Sequence, residues 1–335
     1  MQGRRITGIT CAITLGILCS CHPYKVEPTG AISSSSLRPR ESSIDTSAVV
    51  VVDLSPKFLI FFDSASRHPL EPDLRWALWK RTYGFAAVPP TPFGDSLARR
   101  LLDSAWARYP LAVSRIRQGA AALGVSPAEE LQRVVMLLGC GSTTRVRLVA
   151  FVGGFEGNAF AYSSRDGLPT VAVPIEAGDA RRSIVHEFTH AIHRSAGCAN
   201  IKRGYDQSLA ELIVSEGLAM RVVQALIPGG PDSYYIIATE SWLDAARKNQ
   251  TGILRGIREH LSDSGAATME RFTFGKGTTG LDREGYYAGW AVIGALIKSG
   301  VSLHEIATTP PNRIPELVLK GLNLLGNESS RSSSD

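Results

Sequence analysis

The chain has 335 residues, 44% of them hydrophobic and 20% charged, with a formal net charge of +5. That much apolar side chain excludes a wholly disordered protein, and the length suits one large domain or a domain of two lobes. The charge excess is small and includes Arg4 and Arg5 at the extreme N-terminus, so no nucleic-acid partner is expected.

Arg4 and Arg5 precede an uncharged run from Ile6 to Leu18, too short to span a bilayer as a mature helix and the size of a signal-peptide core. The run ends in Leu18-Cys19-Ser20-Cys21, which resembles a bacterial lipoprotein signal. That resemblance implies cleavage before Cys21, lipid on its thiol, and a chain anchored to a bacterial membrane on its periplasmic or outer face. An ordinary secretory signal cut nearby is the other reading, and both export the chain. Residues 1–20 are therefore expected to be a signal peptide. Residues 21–47 carry a serine run at 33–36, and Pro23, Pro28, Gly30 and Pro39 break any period. They read as a disordered tether. The folded domain is expected over 48–326, followed by a serine-rich disordered tail over 327–335. Two cysteines, Cys140 and Cys198, fall inside the domain. In an oxidising compartment such a pair suggests a disulfide, with two buried thiols as the alternative.

Ala48–Phe62 is rich in Val, Leu, Ile and Phe and reads as one or two strands. Ser96–Leu123 has helical spacing and stops at Gly124; Ser126-Pro127 then opens a short helix with Glu129 and Glu130 in its first turn. Val146–Val152 and Thr170–Ile175 read as strands, with a turn around Gly153, Gly154 and Gly157 between them. Beyond residue 178 the pattern is helical: about Ala180–Ala196 closed by Gly197, about Ser208–Leu226 ended by Pro228, then helices near 238–249, 251–262 and 285–299. Strands first and helices afterwards give an α+β fold, a small mixed sheet followed by a mostly helical lobe.

The helix after residue 180 carries His186-Glu187-Phe188-Thr189-His190. Histidines four apart lie on one helix face and can bind one metal ion, which the residue types make Zn²⁺. Glu187 then points beside the ion, where it can take a proton from a water that zinc has acidified. His193 is two turns from His186, about 10 Å along the axis, so it reads as packing behind the site rather than as a ligand. Catalytic zinc needs a third protein ligand. Glu211 is explained by a capping box with Ser208. Glu216 sits inside an apolar helix, where a carboxylate requires a cation. Zinc is the first candidate, and a salt bridge to Arg194 or Arg221 is the alternative. Gly217 and Ala219 are expected to let this helix approach the histidine helix closely.

HEFTHAIHR, then SLAELIVSEGLAM, then GYYAGWAVIGALIKSG resemble, in order, the three blocks of the gluzincin-type family of predicted zinc-dependent proteases, DUF2268. The likeness covers roughly residues 140–320. It departs mildly at Trp290, where the family pattern usually has Tyr. The resemblance implies a gluzincin-like fold with one zinc held between two helices and a peptide or protein substrate. The third block offers Tyr286 as the donor that holds the oxyanion. Packing of Tyr286 and Tyr287 against Trp290 is the alternative, and His260 and His304 are rival donors. Asn158–Tyr162 could be an edge strand for substrate backbone. The expectation is a membrane-anchored metallopeptidase with His186, His190 and Glu216 on zinc and Glu187 and Tyr286 in catalysis. Two other classes stay open: a zinc hydrolase of a non-peptide amide such as a cell-wall bond, and a non-catalytic lipoprotein with zinc as a structural or binding element.

Overall fold

A computed structural model describes residues 45–332 apart from 47, 89, 90, 165, 177, 178 and 203. The leader, Cys21 and most of the tether lie outside the described residues. In chain order come strands β1 (Asp45–Thr46) and β2 (Val49–Asp53), then helices α1 (Ser55–Ala65), α2 (Pro72–Thr82), α3 (Pro92–Ala105), α4 (Tyr109–Arg117) and α5 (Pro127–Leu138). Strands β3 (Val146–Phe151), β4 (Phe160–Ser163) and β5 (Pro169–Pro174) follow. The rest is helical: α6 (Ala180–His193), α7 (Leu209–Leu226), α8 (Asp232–Ile236), α9 (Glu240–Lys248), α10 (Gln250–Glu259), α11 (Ala266–Thr273), α12 (Glu284–Lys298), α13 (Leu303–Thr308) and α14 (Ile314–Ser332).

The strands form one mixed sheet in the order β1-β2-β3-β5-β4. β2, β3 and β5 run parallel, with Val51 opposite Leu148 and Leu148 opposite Val171. β4 pairs antiparallel with β5 and forms one edge, so Phe160–Tyr162 of the expected edge segment lie in an edge strand, while Asn158 and Ala159 precede it. Side chains alternate between two faces, as the strand period requires. Leu148, Ala150, Val171 and Val173 join the main core, where α5 and α6 pack. Val149, Phe151 and Ala172 form a smaller cluster on the opposite face.

Three expectations about the ends and the order of elements change. Ala48–Phe62 is a strand only as far as Asp53. Ser55-Pro56 starts a helix, with the proline in its first turn and Phe58, Phe61 and Ala65 buried at helical spacing. The Asp53 carboxylate fixes the switch by accepting from Ser55 N and, across the fold, from Ala120 N, each at 2.8 Å. Five helices therefore separate β2 from β3, so strands do not simply precede helices. The helical segment expected over Ser96–Leu123 is broken into α3, a short 3-10 turn, α4 and a second 3-10 turn ending at left-handed Gly124. At the ends, Asp45–Thr46 pair as β1 and α14 continues to Ser332, into the expected tether and tail.

Cys140, just after α5, is joined to Cys198, just after α6, by a disulfide. The two helices that cover the sheet are thus cross-linked close to their C-terminal ends.

α7 is the central helix of the helical lobe and packs most extensively on α12. Its glycine explains that contact. A Cβ on Gly217 would lie 2.4 Å from Gly289 O, and a Cβ on Gly289 would lie 2.9 Å from Gly217 N. Gly217 therefore serves the approach of α12, not of the histidine helix as expected from the sequence.

Candidate metal centre

α6 begins at Asp179, whose carboxylate caps Arg182 N, and it is buried along most of its length because it lies between the sheet and α7. The capping box of Ser208 and Glu211 starts α7, which accounts for Glu211 as structural. The crossing of these helices brings His186, His190 and Glu216 together, all buried. The two Nε2 atoms are 3.1 Å apart. His186 Nε2 lies 3.4 Å from Glu216 Oε2, and His190 Nε2 lies 3.5 Å from Glu216 Oε1.

These spacings have the size of a metal's ligand shell. Zn–N and Zn–O bonds of about 2.0–2.2 Å in a tetrahedron put neighbouring ligand atoms roughly 3.3–3.6 Å apart. Three buried donors 3.1–3.5 Å apart, close to that separation, fit one Zn²⁺, and the donor set of two imidazoles and a carboxylate leaves a fourth position open. Arg221, the alternative partner for Glu216, is turned away: its guanidinium stacks on Trp290 and donates to Trp290 O.

The charge states suit a cation. Burial opposes the charge on Glu216, yet the two imidazoles hold its carboxyl well below the usual range. Burial pulls His190 down to about 4 against the attraction of Glu216, so that ring is neutral. Burial also opposes a proton on His186, but the hydrogen bond it donates to Glu216 and the nearby charge of Glu187 raise its pKa overall. A metal ion would displace that proton. Ser215, not singled out from the sequence, sits 2.9 Å from His190 Nδ1 through its Oγ and orients the ring. A serine beside a carboxylate in an otherwise apolar helix was the available signal. His193 is fully buried outside the cluster, and burial, with Arg194 and His190 nearby, lowers its pKa to about 3.

A cleft of about 600 Å³ opens on the cluster. His186, Glu187 and Glu216 line it, as does Tyr286 from the first turn of α12. The rival donors lie elsewhere: His260 pairs with Asp263, and His304 Nδ1 lies 2.7 Å from Leu138 O; Tyr287 OH bonds Gln250. Tyr234 and Arg182 also reach the cleft without having been read from the sequence. Arg182 Nη1 donates to Tyr234 O at 3.0 Å, and Tyr234 OH donates to the capping carboxylate of Asp179.

The turn between β3 and β4 forms another wall through Glu156, Gly157 and Asn158. It is held by Glu176, just after β5, whose carboxylate accepts from Gly153 N at 3.0 Å and Phe155 N at 3.1 Å. Burial pushes Glu176 up to about 7; the charge of Glu156 adds to the rise and the backbone bonds oppose it.

Residues 159–316 match the model of a family described as predicted Zn-dependent protease, DUF2268. No curated protein and no solved structure matches the chain. The matched stretch runs from the end of the β3–β4 turn into α14 and contains the whole cluster, Glu187 and Tyr286. Over these residues the chain is similar to the DUF2268 family of predicted Zn-dependent proteases.

Proposed function

We propose that the protein is an exported, lipid-anchored zinc metallopeptidase that cuts peptide bonds of peptide or protein substrates. The observation that carries the reading is the trio of buried donors at ligand-shell spacing, facing a cleft that also holds a carboxylate outside the trio. Bound by His186, His190 and Glu216, one Zn²⁺ supplies Lewis-acid chemistry that polarises a carbonyl and acidifies water. Glu187 follows His186 on α6 and lines the cleft, so it faces the reacting atoms without taking a ligand position. It removes the proton from the attacking water and delivers it to the departing amine. Tyr286 donates its hydroxyl hydrogen to the oxygen that gains charge as the carbonyl carbon becomes tetrahedral. β4 is an edge of the sheet, and an extended substrate can lie along that edge. Export and anchoring rest on the leader ending at Cys21, and the disulfide accords with an oxidising compartment.

Glu187→Gln tests the mechanism. The variant should retain zinc and thermal stability and lose most peptide hydrolysis. Near-wild-type turnover by zinc-loaded Glu187→Gln would remove Glu187 from its role. Cleavage of peptidoglycan in place of unfolded protein would move the reading to a cell-wall amide.

A further inference from the structure

Four described non-glycine residues have positive φ: Phe155, Asn200, Ile237 and Arg283. Ile237 and Arg283 line the cleft, and Phe155 adjoins Glu156, which also lines it. Strained backbone gathered at one site is a mark of function rather than of folding economy. Ile237 is the sharpest case. A β-branched residue at φ 55° and ψ 55° is disfavoured by its own side chain, and Asn or Gly would sit there more easily. Its side chain is also 45% exposed, so burial does not repay the strain.

The conformation is imposed from outside the turn. Arg283 Nη1 donates to Ile237 O at 2.7 Å and Nη2 donates to Ile236 O at 2.9 Å. The same guanidinium lies over the rings of Trp242 and Tyr286, at 5.5 and 4.7 Å from their centroids. Ile237 lines the cleft, as do the apolar side chains of Met220, Ile236, Trp242 and Phe274. Met220 follows Glu216 by one turn of α7, which places the Met220 side chain about 6 Å from Glu216 at the metal end of this lining.

We propose that Ile237 is a specificity-determining residue: it walls a subsite for a large aliphatic or aromatic substrate side chain adjoining the bond that is cut. The inference rests on the peptidase reading above. The test compares the zinc-loaded full chain with Ile237→Gly and Ile237→Asn on a peptide mixture, reading cleavage sites and zinc content, with Glu187→Gln as control. Both variants relieve the left-handed strain, so they should fold with an equal or higher melting temperature. The wild type should favour large apolar residues over alanine at one position next to the cut. In both variants that preference should fall roughly tenfold, as expected when an apolar wall is removed. Folded, zinc-loaded variants that keep the preference within about twofold would overturn the assignment while leaving the peptidase reading standing. A wild type without apolar preference would overturn it too. Absence of any Glu187-dependent cleavage by the wild type would overturn both readings together.

Discussion

Zinc should raise the stability of the folded chain by an amount that depends on Glu216 and Ser215. An ion that binds only the folded state stabilises it by about 4 kcal/mol when present at about a thousand times its dissociation constant. For a domain of this size each kcal/mol moves the melting midpoint by about 2–4 °C, so the expected shift is roughly 10 °C. Glu216→Gln exchanges the charged ligand, which lies 3.4 and 3.5 Å from the two imidazole nitrogens, for a neutral amide and should abolish most of that shift. Ser215→Ala removes only the 2.9 Å contact that orients His190. Loss of such an outer partner costs about 10–100-fold in metal affinity, which at fixed zinc removes about 1.4–2.7 kcal/mol of the gain. Because zinc must displace the proton that Glu216 helps to hold on His186, the shift should grow as pH rises through the titration of that ring. The assay is scanning calorimetry of metal-free protein with and without zinc, paired with elemental analysis. An equal zinc-induced shift in Glu216→Gln and wild type would refute the ligand assignment. No shift in the wild type would refute the site.

Tyr286→Phe should keep zinc and lower kcat roughly 10²-fold, and unchanged turnover would return Tyr286 to a packing role. Gly289→Ala puts a Cβ 2.8 Å from Ile213 O and 2.9 Å from Gly217 N. Overpacking of about 1–3 kcal/mol should outweigh the gain in helix propensity, so a higher denaturation midpoint would contradict the close α7–α12 contact. Cys140→Ser with Cys198→Ser opens a loop of sequence separation 58. Chain-entropy reasoning makes the loss about 4 kcal/mol, measurable by urea denaturation, and an unaltered midpoint would count against the bond. Glu176 has its folded pKa raised from 4.5 to about 7. Its stabilising contribution is therefore present below the unfolded value and is lost as pH rises through about 7, roughly 3 kcal/mol in all. Glu176→Gln, which also gives up a backbone acceptor, should be weaker than wild type in acid, with the gap closing near neutrality; parallel stability–pH curves would refute this.

How far the site could be read from the sequence depended on whether a residue's reason was local or tertiary. His186 and His190 need only helical spacing, and the capping box of Ser208 and Glu211 is a four-residue signal, so both were legible. Glu216 was legible as a candidate, because a carboxylate inside an apolar helix has few stable partners, and one of the two arginines considered for it, Arg221, stacks on Trp290 instead. Phe58 to Phe62 misled because a short apolar run is compatible with strand or buried helix. The deciding cue was Ser55-Pro56, a helix start placed directly after the strand. Gly217 announced a close approach but not its partner: a missing side chain has no direction until the neighbouring helix is known. Ile237 was the least legible. Nothing local favours a left-handed isoleucine. The conformation exists because Arg283, 46 positions away, holds the carbonyls of the turn. Arg283 is itself left-handed at the N-cap of α12. That helix carries Tyr286 one turn later and Gly289 after it, so the packing of α12 on α7 bears at once on the proposed donor, on the Arg283 clamp and on the proposed wall. A substitution at the Gly217–Gly289 contact should therefore change both turnover and cleavage preference, whereas one at Ile237 should change preference alone.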